Sequence, residues 1–369
     1  MSKPISSPLI YANPALRFQA FEAELLVAFK KVLSSHQLIL GEEVKAFEKS
    51  FSQYLSINHC VGVNSGTDAL TLAMEACGLQ KGDEVIAPAL TAHGTLVAIY
   101  RAGLTPVIVD VKEPTLCIDP AEIEKAITAK TKAVLPVHLH GYAANMAEIK
   151  SICEAHNLLL IEDCAQAHGV TIGDQMVGSF GNAAAYSFYP TKNLGCIGDG
   201  GAVVTNSEPI AKRLKALRWY GIEPKGDIKN VGINSRLDEV QAAFLNVLLP
   251  HLAEYNDRRR SYSQQYHEAL SDFTELLPPL VEGAVYHQFA LRVPNRNLFK
   301  KLMLEKGIQL GEHYNFTMKD LSVFRQFCGE IPVAEHAASR LISLPIQPEI
   351  LDAHFEFVVD SVRDCLTKL

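Results

Sequence analysis

Ala185-Tyr-Ser-Phe-Tyr-Pro-Thr-Lys-Asn-Leu-Gly-Cys-Ile-Gly-Asp-Gly-Gly201 is the stretch on which the reading of this chain turns. It opens as a strand-like run, Ala185 to Phe188, and breaks at Pro190, whose missing N–H expels the chain from any central strand. A single lysine, Lys192, follows at once, with Gly195, Gly198, Gly200 and Gly201 within nine residues of it. The chain then resumes as a second strand-like run, Ala202 to Thr205. An amine at a sheet edge, among residues that let the backbone turn tightly, suits a reactive lysine. A Schiff base needs an amine that faces a carbonyl carbon and is partly neutral. The same residues also read as a surface lysine in a Gly-rich hairpin, so the rest of the chain has to decide.

Outward from this stretch, short apolar runs alternate with helical ones. Cys60 to Val63, Glu84 to Pro88, Thr105 to Asp110, Lys132 to His138 and Leu158 to Asp163 read as strands. Helices are expected over Phe21 to Leu33, Glu42 to Tyr54, from Thr67 or Asp68 onward, over Thr95 to Arg101, Pro120 to Ile127, Met146 to His156 and Pro209 to Leu217. This order implies an α/β fold, a mostly parallel sheet with helices on both faces. Ligands of such sheets bind beyond the carboxyl ends of the strands. Those ends carry Ser65-Gly-Thr67, Pro88-Ala-Leu-Thr91, His138-Leu-His-Gly141, Glu162-Asp-Cys-Ala-Gln166 and Lys192. Ser235 to Glu239 can cap the helix that follows, and a long helix through Tyr255 and on to about Leu270 leads to a C-terminal part with a strand over Tyr286 to Val293 and helices over Leu298 to Lys306 and Ile350 to Leu366. The division expected is a large domain over 1–250, with an N-terminal arm over residues 1 to 20, and a small α+β domain over 251–369.

Composition narrows the function. The 369 residues are 48% hydrophobic and 20% charged, as in a soluble globular protein with a sizeable core. A net charge of −7 argues against a nucleic-acid partner. No apolar run reaches transmembrane length, the Met1-Ser-Lys-Pro start lacks a signal-peptide core, and the eight scattered cysteines lack metal spacing. A cytoplasmic location with reduced thiols is the expectation.

Three pieces then converge. Asp163 ends a fully apolar strand, where a carboxylate is costly unless paired or hydrogen-bonded. It reads as a cap or salt-bridge partner, or as the partner of a protonated ring nitrogen in an electron-sink cofactor. Ser65-Gly66-Thr67 reads as a plain helix cap or as an anion site at a helix start. With Lys192, these pieces fit pyridoxal 5′-phosphate (PLP).

On these residues the chain resembles the DegT/DnrJ/EryC1/StrS family of nucleotide-sugar aminotransferases, which have the fold-type-I aspartate aminotransferase architecture. The carriers are Gly41-Glu-Glu-Val with Phe47-Glu48, Asn64-Ser-Gly-Thr-Asp-Ala-Leu70, Pro136-Val-His-Leu-His-Gly141, Glu162-Asp-Cys-Ala-Gln-Ala-His-Gly169, Ser187 to Gly195 with Gly198 to Gly201, Asn234-Ser-Arg-Leu-Asp-Glu239, and His313-Tyr314. The resemblance implies that Lys192 forms the Schiff base with PLP and then moves the proton. It implies that Asp163 pairs with the pyridinium nitrogen and Gln166 with the ring's phenolic oxygen. Ser65, Gly66, Thr67 and Ser187 would hold the phosphate, and Asn234 would reach the phosphate of a neighbouring subunit in a homodimer. L-glutamate as donor and pyridoxamine phosphate as intermediate follow. The substrate implied is a nucleotide-linked keto-deoxysugar, aminated at C3 in preference to C4. A sugar dehydratase and a non-catalytic PLP-binding regulator are the competing readings.

The chain departs from the family pattern where many members stack an aromatic residue on the ring. It has Ala92 followed by His93, so either the ring rests on a small side chain or His93 takes over. His93, Tyr189, Arg236, His313 and Tyr314 are the candidates near substrate. Histidines 138, 140 and 168 read as structural, with no metal site expected. Arg258-Arg-Arg260 reads most simply as a solvated helix face, otherwise as a diphosphate clamp.

Overall fold

The strand-like runs form one seven-stranded sheet in the computed structural model, which describes residues 9–369. Its strands are β1 (His59–Val63), β2 (Glu84–Pro88), β3 (Thr105–Val109), β4 (Thr131–Val134), β5 (Leu159–Asp163), β6 (Ala183–Ser187) and β7 (Gly201–Thr205). They lie in the order β1-β7-β6-β5-β4-β2-β3. The run from β6 through β5, β4 and β2 to β3 is parallel, and β7 is antiparallel to both β6 and β1. The reversal has a local cause. The chain leaves β6 at Phe188 and returns at Gly201 on the neighbouring lane, so Lys192 sits on a thirteen-residue excursion at the carboxyl edge.

Both faces of the sheet are dry. One carries the larger core cluster, with Leu70, Met74, Ile86, Ile99 and Val134 among its members. The other carries Val44, Phe47, Phe51, Tyr186 and Phe188. Phe188 meets Phe47 edge-on with ring centroids 5.2 Å apart, which pins the start of the lysine excursion in an aromatic cluster. The larger cluster runs on into the C-terminal part. There β8 (Phe289–Arg292) and β9 (Leu341–Leu344) pair antiparallel and Tyr262 stacks on Phe355 at 4.0 Å.

Several expectations shift. The strand expected over Lys132 to His138 closes at Val134, although Val137 still bridges to Asp163. The helix expected as one long element is two, Glu239–Leu248 and Leu252–Ala269, joined by a 3-10 turn at Leu249–His251. Pro250 inside that turn has no N–H to continue the ladder. The first eight residues of the expected arm lie outside the described residues. Its remainder is not a loose arm: Ala15–Ala20 is a helix, and Leu9 and Arg17 are buried.

The segment Ser235 to Glu239 does not cap the helix that follows it. That helix starts at Glu239 with no side-chain cap. Instead the buried Glu239 carboxylate accepts from the amides of Gly41 (2.6 Å), Glu43 (3.0 Å) and Val44 (3.1 Å), at the start of the helix Glu42–Tyr54. A carboxylate at a helix N-terminus satisfies orphan donors and opposes the macrodipole. Glu239→Ala leaves those donors buried without an acceptor, and stability should fall by about 3 kcal/mol. A urea midpoint that moves by less than the equivalent of ~1 kcal/mol would refute the cap.

Candidate active site

The register places the site residues at one height. Val63 of β1, Gly201 of β7 and Ser187 of β6 are direct neighbours, and Ala185 pairs with Asp163 of β5. A Cβ at Gly201 would lie 2.4 Å from the Ser65 carbonyl, so only glycine lets β7 pass under the Ser65–Gly66 turn. A Cβ at Gly66 would lie 2.6 Å from Ser187 Cβ, which brings the Ser187 hydroxyl against the first turn of the helix Gly66–Ala76. Ser65 is the N-cap of that helix and its hydroxyl accepts from the Asp68 amide at 3.2 Å. Gly94 packs against Thr67, where a Cβ would sit 2.8 Å from Thr67 Oγ1. Helix-start amides, two hydroxyls and a surface without side chains make an anion cradle at the sheet edge that carries the lysine loop.

Asp163 is 4% exposed. Thr95 Oγ1 donates to its Oδ2 at 2.9 Å and the Ala165 amide to its Oδ1 at 3.1 Å. Thr91 hydrogen-bonds Thr95 in turn, at 2.8 Å. Burial pushes the Asp163 carboxyl up, against the pull of these donors and of the Lys192 amine. Burial also lowers Lys192, to about 8, with Asp163 opposing the shift. The amine is therefore partly neutral near neutral pH, the condition a Schiff-base lysine needs. Its loop is held from behind. Arg17 Nη1 donates to the Lys192 carbonyl at 2.9 Å, and the buried Asn193 joins Asn256 (2.9 Å) and the His287 ring (3.0 Å).

Gln166 is oriented by its surroundings. The His140 amide donates to its Oε1 at 2.6 Å, which turns Nε2 outward as a donor, and that Nε2 reaches the Tyr314 hydroxyl at 2.8 Å. The His313 carbonyl faces the His140 ring at 2.9 Å. Burial lowers His140 to about 3, so its ring is neutral and donates through Nε2. These residues fit PLP: an anion cradle for the phosphate, a buried carboxylate for a ring cation, a fixed amide donor for the phenolic oxygen and a lowered amine.

The remaining candidates are placed less centrally. Ala92 precedes the helix His93–Arg101, and the exposed His93 ring stacks on Phe316 at 4.5 Å. Tyr189 is 53% exposed at the mouth of the lysine loop. Arg236 lies over the Trp219 ring at 4.6 Å, and Asn234 is exposed and bridges to Trp219. Ser235, between them, ties back to Asn64 at 3.0 Å. His138, Glu162 and Cys164 cluster closely enough to suggest a metal, but their hydrogen bonds are structural. His138 accepts from Ala144 N and faces Glu162, which accepts from the amides of Gly178, Phe180 and Gly181. Thr95 and Arg17 were not anticipated. The Thr91/Thr95 spacing, four apart at a strand end, was the available signal for the first, and Arg17 left none.

A mostly parallel sheet of this order, with lysine, carboxylate and anion cradle at its carboxyl edge, is that of a fold-type-I PLP-dependent transferase. The chain belongs to the DegT/DnrJ/EryC1/StrS aminotransferase family, whose sequence profile matches residues 19–363, and its cofactor is PLP. It is 39% identical over 371 residues to the dTDP-3-amino-3,4,6-trideoxy-alpha-D-glucose transaminase of Streptomyces venezuelae, covering 99% of this chain and 98% of that one. It is equally 39% identical over 357 residues to a protein named pleiotropic regulatory protein from Geobacillus stearothermophilus, with coverage of 94% and 96%. The crystal structure of S. venezuelae DesV in complex with a ketimine intermediate superposes with a TM-score of 0.94 at 37% identity, covering 99% of this chain and all of that one.

Proposed function

We propose that this aminotransferase moves an amino group from L-glutamate to the C3 keto position of a nucleotide-linked deoxysugar. The observation that carries the reading is the gathering, at one edge of the sheet, of the Lys192 loop, the buried Asp163 carboxylate and the helix start at Gly66 packed on Ser187, with burial lowering the Lys192 amine. PLP supplies the electron sink that stabilises charge at the reacting carbon. Lys192 holds the cofactor and carries the proton. Asp163 offers the negative charge opposite the ring nitrogen. Gln166 donates to the phenolic oxygen. Gly66, Thr67 and Ser187, with Ser65 at the cap, hold the phosphate. Tyr189, His313, Tyr314, His93 and Arg236 are assigned to the substrate side. The preference for C3 over C4 draws on the Asn234 to Glu239 motif and on the S. venezuelae relative.

The same reading makes the unit a homodimer in the cytoplasm, with the chain dividing at about residue 250. Support for the dimer comes from apolar residues left exposed on one helix, Leu26, Val27, Phe29 and Leu33, and from Val231, 87% exposed near Asn234. All eight cysteines are free, which suits a reducing compartment. The regulator reading has a relative's name in its favour, but a binding-only protein has little need of a lysine tuned for proton transfer.

The test is a visible spectrum of PLP-loaded protein before and after L-glutamate. The yellow band of the lysine-bound cofactor should bleach, and a nucleotide-linked 3-keto sugar should restore it faster than the 4-keto isomer. A band unmoved by glutamate refutes the donor, and faster recovery with the 4-keto sugar refutes the position.

A further inference from the structure

Residues 9–17 lie along the C-terminal part of the chain. Leu9 bridges in parallel to Ile308, its amide donating to the Gly307 carbonyl at 2.8 Å and its carbonyl accepting from the Gln309 amide at 2.9 Å. The Tyr11 hydroxyl donates to the buried Gln288, and its ring centroid lies 5.1 Å from that of His313. The Asn13 amide donates to Gln347. Arg17 Nε pairs with Glu349 at 2.7 Å, and both side chains are buried. These anchors all fall within residues 288–349. One contact crosses back to the sheet: Arg17 Nη1 donates to the Lys192 carbonyl at 2.9 Å, and no other donor meets that carbonyl among the described residues.

A guanidinium is planar and stiff. Nε and Nη1 share one carbon, so no rotatable bond separates the Glu349 contact from the Lys192 contact. A shift of Glu349 therefore reaches the lysine backbone directly. The Lys192 amide is held as well, by the Tyr189 carbonyl at 2.8 Å, so both backbone groups that aim the side chain are fixed. Arg259 does not share this task. It was expected on a solvated helix face, and its neighbours Arg258 and Arg260 do pair with the exposed Asp352 and Asp257, yet Arg259 is buried. Its Nη1 reaches the carbonyls of Tyr286, His287 and Ile346, each at 3.4 Å, and leaves the lysine loop to Arg17.

Lys192 itself is half-buried, and burial lowers its amine to about 8 against the pull of Asp163. The imidazoles of His168, His287 and His313 lie within reach of its charge, and burial keeps each of them neutral near pH 7. The Arg17 charge is balanced by Glu349. What keeps the amine low is its place in the site, and that place is set by the backbone that Arg17 holds.

We infer that Arg17 is a positioning residue for Lys192, and that residues 9–17 are a strap through which the C-terminal part sets the pose of that amine. For its effect on turnover the inference rests on the reading of Lys192 as the reactive amine.

The readout is the protonation of Lys192 in the full-length protein without PLP, from the rate of its acetylation by acetic anhydride across a pH series, followed by mass spectrometry. Wild type should titrate near pH 8. Arg17→Met combined with Glu349→Gln removes both charges of the pair, so neither stays buried alone. A lysine no longer held turns toward water, and the midpoint should rise by about one pH unit or more. The PLP-loaded double variant should lose at least about tenfold in kcat, the cost of a displaced reactive group. Arg17→Lys keeps a charge for Glu349 and loses the second edge, so its urea midpoint should hold while its labelling midpoint rises. Should the double variant fail to fold, Arg17→Lys decides. Tyr11→Ala loosens the strap, leaves Arg17 in place and should move the midpoint the same way. A merely structural pair would lower the urea midpoint and leave Lys192 titrating as in the wild type. That result in the Arg17 variants overturns the positioning role, and in Tyr11→Ala it overturns the strap. A wild-type midpoint in the ordinary lysine range, about 10.4, overturns both. A wild type whose Lys192 answers to Arg17 but shows no yellow band with PLP would sink the proposed function and leave the positioning role standing.

Discussion

Lys192→Ala is expected to lower transamination by at least about 10⁴-fold while leaving the fold intact. Proton transfer by a positioned side chain alone contributes up to about that factor, and in the proposed role the same amine also holds the cofactor. The backbone consequences are small. The loop's anchors are the Arg17 bond to the Lys192 carbonyl and the Asn193 side chain, and neither uses the lysine side chain. The variant should therefore keep its urea midpoint or gain slightly, because a buried amine whose charged form is disfavoured has been removed. It should not develop the yellow band with PLP. The pH dependence in the wild type has a defined sign. The lowered pKa means that the neutral amine becomes the major form above about pH 8, so capture of added PLP should accelerate with pH and level off past that point. Stability follows the same group: between about pH 8 and the unfolded lysine range the unfolded chain binds more protons than the folded one, so this site's contribution becomes more favourable as pH rises through that window. Capture that is flat across pH 7 to 9, or a Lys192→Ala protein within a hundredfold of wild-type turnover, would remove Lys192 from its assigned role.

How much of this was open to sequence reading depended on the range of the signal. The lysine loop was legible because its punctuation is local: Pro190 bars the run after Ser187 from continuing as a strand and Gly201 starts the next one, within a dozen residues. The parallel sheet was legible because strands buried on both faces leave continuous apolar runs. That same property hid the end of β4, since Leu135, Pro136 and Val137 stay apolar after the strand has closed at Val134. Contacts between distant segments left nothing to read. Arg17 pairs with Glu349 across 332 positions, and Glu239 caps a helix nearly 200 residues upstream. Neither has a periodicity or spacing that announces it. Arg259 was misread because its two arginine neighbours are indeed on the surface, and an isolated buried position on a long polar helix has no local pattern. The residues singled out for their chemistry (Lys192, Asp163, Gln166) lie together at the carboxyl edge of the sheet, where their strand ends announced them. Those that orient them from other segments (Thr95, Arg17, and the Asn256 and His287 that hold Asn193) emerged only once the chain was folded.

Asp163→Asn carries the second large effect, at least about 10²-fold in the half-reaction with saturating L-glutamate, the scale expected when a preorganised electrostatic partner is removed. The substitution is nearly isosteric. The Asn side chain can still accept from Thr95 or from the Ala165 amide, so the strand end and its neighbours should hold. What it loses is charge. In the present arrangement burial pushes the Asp163 carboxyl up, and its hydrogen bonds and the Lys192 amine only partly oppose that. A ring cation placed against it would reverse the balance, because an opposite charge at hydrogen-bond distance favours the ionised form. In the proposed role the carboxylate and the ring proton would stabilise each other, and an asparagine would leave the ring nitrogen without the charge that keeps it protonated and so weaken the electron sink. The loss should appear in the rate at saturation and leave PLP binding by the proposed anion cradle largely intact, since Ser187, Gly66 and Thr67 are untouched. Thr95→Val should act in the same direction and more weakly, because it removes one donor to Asp163 and keeps the charge. If Asp163→Asn reacts with glutamate within tenfold of wild type, the carboxylate is a structural cap at the end of β5, and the electron sink draws its charge from another group.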